Sequence, residues 1–83
     1  MNRNWVVFHL GEARDAIDET LKEIRETPDY DYGEFWVAMQ HIYHHLNTAW
    51  NARDATEDRM ARLSREDFYQ WSRFPADLPM MGE

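Results

Sequence analysis

The sequence predicts an all-α protein: an antiparallel helical hairpin with a short third helix, pairing with a second copy into a homodimeric helical bundle. Three observations carry this. Apolar side chains recur at alternating spacings of three and four in two long stretches, Val6, Leu10, Ala13, Ile17, Leu21, Ile24 and then Tyr32, Phe35/Trp36, Met39, Ile42/Tyr43, Leu46, Ala49/Trp50. A short break at Thr27-Pro28-Asp29 separates them, the length that makes helices antiparallel neighbours. The apolar–polar alternation of a strand appears nowhere. Residues 1–75 then make one small helical domain, and residues 76–83, with Pro79 and Gly82, an extended or frayed tail.

The first helix is expected over Asn4 to about Glu26, with Asn4 as its N-cap. Its other face carries Glu12, Asp15, Asp18, Glu19, Lys22 and Glu26, where Asp18–Lys22 is a favourable i,i+4 pair. Pro28 ends it, because Pro restricts the residue before it and cannot continue the ladder. Asp31, three residues before Glu34, reads as the cap of the second helix. That helix contains Phe35 to Ala52, a run without Asp, Glu, Lys or Arg in a chain that is 30% charged. Its stripe continues through Glu57, Met60 and Leu63, and good helix formers favour continuity to about Leu63; a fresh start at Asp54-Ala55-Thr56-Glu57 is the other option. Ser64 caps a short helix with Phe68, Trp71 and Phe74 along one side, and Pro75 stops it. In this arrangement Val6, Leu10, Ile17, Leu21 and Ile24 face Trp36, Met39, Tyr43, Leu46 and Trp50.

Charge bounds the partners. The net charge is −7, and residues 9–31 hold eight acids against three bases, a local balance of −5. Such a surface disfavours phosphate backbones, so no nucleic-acid partner is expected. An acidic mimic that blocks a DNA-binding protein would share the charge, but Arg14, Lys22 and Arg25 interrupt the pattern. No cysteine is present, which removes disulfides, thiolate metal ligands and a cysteine nucleophile. No basic leader or long apolar run appears, so no membrane partner and a cytoplasmic location are expected. Nucleotide, phosphate-loop and nucleophile-elbow signatures are missing too. The reading is a small acidic interaction or regulatory module, with no catalytic residue and no cofactor assigned.

The histidines are the one group with chemistry to offer. His41 and His45 stand four apart, so their rings can converge on one divalent transition metal, with His9 and Glu12 of the preceding helix as further ligands. Against this stands a plainer role. Val37, His41, His44, His45, Thr48 and Ala52 form a face with no charge, where a solvated helix normally carries Glu, Lys or Arg. That face is expected to be a contact surface, covered by the third helix or by a second copy. The contact role is favoured over the metal, because a helical His pair alone supplies two ligands.

Overall fold

The computed structural model describes residues 1–81 of the 83 and is all-helical, with no strand among the described residues. Helix α1 spans Arg3–Glu26, α2 Tyr32–Asn51, α3 Glu57–Ala61 and α4 Arg65–Ser72. Helices α1 and α2 form the hairpin, and α4 packs on α2. The expected tail begins after α4; its last two residues, Gly82 and Glu83, lie outside the described residues.

Helix α1 starts two residues before the expected position. Asn2, not Asn4, is the cap, and its side chain accepts from the Trp5 amide at 3.1 Å. The same side chain donates to the Ala55 carbonyl at 2.9 Å, and the Asn2 amide reaches the Arg53 carbonyl at 2.6 Å. One residue thus opens α1 and ties it to the far end of α2. Asp31 caps α2 as its sequence suggests, accepting from the Glu34 amide at 2.8 Å.

Continuity of the second helix to Leu63 is corrected: α2 ends at Asn51, and the chain restarts at Thr56, which caps α3 through the Arg59 amide. The reason lies in the side chains at the break. Asn51 Nδ2 donates to the Trp71 and Arg73 carbonyls at 2.9 and 2.7 Å, and Arg53 turns back over the Trp50 ring and onto the Trp50 carbonyl. These contacts hold the chain in a bend that helix propensity alone would not select. Ser64 and Asp67 then form a full capping box at the start of α4, and Arg59 clamps the Asp67 carboxylate with both guanidinium nitrogens.

The seam of the hairpin is also not the expected one. Ala13, His9 and Thr20 of α1 are buried together with Ile42, His45 and Ala49 of α2 and Ala52 at its C-terminal cap. Leu10, Ile17, Leu21 and Ile24, with Tyr43 and Leu46, stay exposed, Leu46 at 38%. Small side chains let two helices approach closely, so the alanines define the contact and the bulkier residues are turned to one side. Counting about 100° per residue, Leu10, Ile17 and Leu21 lie on one flank of the Ala13 strip, with Met39, Tyr43, Leu46 and Trp50 on the matching flank of α2. On the other flank of α2 stand His44, Thr48 and the α4 contacts. The chain is therefore a two-helix layer with α4 on one side and an uncovered apolar face on the other.

Candidate functional site

His9 shares its strip with Ala13 and Thr20, so α1 drives it into the seam, where it is 4% exposed. His45 sits on the Ile42–Ala49 strip and meets it there, with the two Nδ1 atoms 2.8 Å apart. One Nδ1 must carry the shared proton. His41 and His44 flank His45 with ring centres 4.7 and 4.8 Å away, and His9 and His44 are 6.0 Å apart. Four imidazoles from two helices form one cluster.

Electrostatics disfavour a charge on His9, His44 and His45. Burial, reinforced by the facing His45 and His44, pushes His9 down to about 4. Burial also lowers His44, with His45 and His41 adding to it, and lowers His45, with His41 adding and the Glu12 carboxylate opposing. His9 Nε2 is buried without a hydrogen-bond partner, as is Trp5 Nε1 in the adjoining turn. The His9 ring is thus held through one nitrogen only.

Helix α4 closes the side of the cluster away from His41. The Ser72 hydroxyl donates to the Phe68 carbonyl at 2.6 Å, which uses its only proton, so His44 Nδ1 carries a hydrogen and donates to Ser72 Oγ, also at 2.6 Å. Asn47 Nδ2 donates to the Ser72 carbonyl at 2.8 Å, and the Thr48 hydroxyl to that of Trp71 at 3.5 Å. The Phe68 ring lies 4.5 Å from the His44 ring. Between Trp5, His9, His44, Phe68 and Trp71 a mostly apolar cavity of about 210 Å³ remains.

Beyond the reach of α4 the same flank opens into a groove of about 390 Å³, floored by Ala16, Thr20 and Ala38 and rimmed by Glu12, Asp15, Glu19, Glu23 and Glu34. His41 and Val37 line it as well. The fold therefore brings the four sequence-derived metal candidates into one neighbourhood. His9 and His45 touch, His41 stacks edge-on to His45, and Glu12 shares the groove wall with His41. As they stand, no three His or carboxylate side chains among the described residues surround one point in the way that holds a metal ion.

The expected contact face is divided. His44 and Thr48 meet α4 of the same chain, His45 faces α1, Ala52 is 2% exposed, and Val37 and His41 remain open to solvent. Ser72, Asn47 and Asn51, which fasten α4, were missed in sequence. The signal was available: two Asn at i,i+4 on an otherwise uncharged helix are natural partners for the free carbonyls at a helix end. Compared with known proteins, the chain matches no protein family, no curated protein and no solved structure.

Proposed function

We propose that this chain works as a homodimeric helical interaction module, assembled through the apolar face left uncovered by α4. The observation that carries the reading is surface area. The protomer exposes 6629 Å², whereas a folded monomer of this mass is expected to expose about 5300 Å². A standard interface removes about 800 Å² from each partner and an obligate one about 1000 Å² or more, so the excess of about 1300 Å² is of the size an obligate dimer consumes.

The composition of the face fits a second copy. Along α1 it is aliphatic, with Leu10, Ile17, Leu21 and Ile24; along α2 it is aromatic, with Tyr32, Trp36 and Tyr43 beside Leu46. A two-fold axis parallel to the helices sets the aliphatic row of one protomer on the aromatic row of its partner, in a four-helix arrangement with antiparallel neighbours. Glu12, Glu19 and Glu23 lie on the opposite flank, so the like-charged surfaces of two −7 chains point away from each other. The acidic grooves are left outward, as the surface such a dimer offers to a cationic partner.

Sedimentation equilibrium at micromolar concentration is expected to give twice the 10.1 kDa chain mass. Leu46→Glu should return the chain to a monomer with its helical circular dichroism intact, because the side chain is already solvent-accessible in the protomer. A wild-type mass that stays monomeric at the highest soluble concentration would sink the proposal.

A further inference from the structure

We infer that the cavity between α1, α2 and α4 is a binding site for a small neutral phenol, a single aromatic ring bearing one hydroxyl. The wall of the cavity accounts for the ring, and two unpaired nitrogens in that wall account for the hydroxyl.

Trp5 and His9 come from α1, His44 from α2, and Phe68 and Trp71 from α4, with Leu63 beside them, and the space they bound is about 210 Å³. A cavity of about 150 Å³ takes one benzene ring, so there is room here for one ring with a small substituent or two. All but Leu63 are flat rings, which receive another ring edge-on or offset at centre separations of about 4.5–7 Å. The wall is already held in place. Phe68 lies against His44 at 4.5 Å, and the Arg59 guanidinium packs over Trp71 at 5.4 Å. An apolar space between helices, with a few polar groups in its wall, is where small molecules usually bind.

Trp5 Nε1 and His9 Nε2 are both buried without a hydrogen-bond partner, whereas buried polar groups are nearly always paired. Their rings stand edge to face with centres 4.4 Å apart, so both belong to one corner of the cavity. An indole N–H only donates. His9 Nε2 accepts or donates according to which Nδ1 of the His9–His45 pair carries the proton. A hydroxyl meets both cases: it accepts from Trp5, and it either donates to Nε2 or accepts from it as well. A carbonyl meets only the second case. A carboxylate would bring a charge against a wall with little to replace its hydration. A ligand held between Trp5 and Trp71 touches the hairpin and α4 together, so it fastens α4 and stabilises the folded chain by mass action.

The test titrates the full chain with p-cresol, toluene and benzoate at neutral pH, read by calorimetry and by the indole N–H signals of ¹⁵N-labelled protein. p-Cresol is expected to bind once per chain with a Kd of about 1 mM or tighter. It should move the Trp5 indole signal downfield, as that N–H gains an acceptor, and leave Trp36 of the uncovered face in place. Trp5→Phe keeps an aromatic ring and removes the N–H. In that variant p-cresol should bind about fivefold more weakly or worse, while toluene binds as in wild type and the helical circular dichroism is intact. Leu46→Glu should bind p-cresol like wild type, because the cavity lies within one chain and away from the proposed dimer face. Absence of saturable p-cresol binding up to its solubility, benzoate binding as tight as p-cresol, or a Trp5 signal that does not move would each overturn the assignment. So would equal losses of p-cresol and toluene in Trp5→Phe, which would leave Trp5 as wall alone, or loss of binding in Leu46→Glu.

Discussion

His9 shows at the scale of one residue how burial becomes pH dependence. Its folded-state pKa is pushed down to about 4 from an ordinary 6.5, first by burial and then by His45 and His44. The groups around it are Trp5 and Phe8 on its own helix, His44 and His45 across the seam, and the uncharged Phe68 and Trp71 from α4. A depressed histidine binds its proton more readily in the unfolded chain. Its contribution to stability is therefore complete above pH 6.5 and drains away as pH falls toward 4. His44 and His45, lowered for the same reason, act in the same direction. Urea melts of metal-free protein should show a midpoint that falls steadily over this window, and His9→Leu should flatten the slope. Asp67 produces a second, separate step. Held by Arg59 and the Ser64 amide, its carboxyl is drawn down to about 2, so its contribution persists above about pH 4 and disappears between 4 and 2. Asp67→Asn should erase the lower step and leave the upper one in place.

At the level of elements, the hairpin, the Asp31 cap and the Ser64 cap were legible because each depends on residues within one turn of each other. The end of α2 was legible only as the less favoured option, a fresh start at Asp54–Glu57, because it is fixed by Asn51 reaching Trp71 and Arg73 some 20 residues on. The seam was misjudged for a related reason. Periodicity locates an apolar stripe but does not say which edge of it another helix will touch. Here Ala13 and Ala49 admit closer approach than Leu10 and Leu46. The four metal candidates could be named from spacing, but the contact between His9 and His45 depends on that seam and was not readable beforehand. Two substitutions probe these elements. Ala13→Leu should wedge α1 from α2 and cost about 1–3 kcal/mol in denaturant unfolding. Asn51→Ala removes a donor that serves two carbonyls and should cost about 1–2 kcal/mol, with quenching of Trp71 fluorescence rising as α4 loosens. No change in either measurement would mean that α4 is fastened elsewhere.

For the whole molecule, the core decides how the chain can be stable at all. Among the described residues, the buried hydrophobic side chains are Ile42 and three alanines, and no large side chain is fully buried. The radius of gyration is 14.7 Å, against about 12 Å for a compact chain of this length. Burial of that kind contributes little beside the conformational entropy of ordering some 80 residues. The apolar area capable of offsetting it lies on the uncovered flank, at Leu10, Ile17, Leu21, Ile24, Trp36, Tyr43 and Leu46. A second copy on that flank would add to the stability of a chain that folds alone, and stability would then depend on protein concentration. Dilution should lower the melting temperature of wild type, whereas a protein stabilised within one chain would melt at a fixed temperature. Ile17→Ala provides the sharper comparison. In an isolated protomer this half-exposed side chain should matter little. If the dimer buries it, truncation costs about 2–5 kcal/mol per site and steepens the dilution dependence. A melting temperature that is independent of concentration, and nearly unchanged in Ile17→Ala, would leave the small alanine seam to hold the chain together alone.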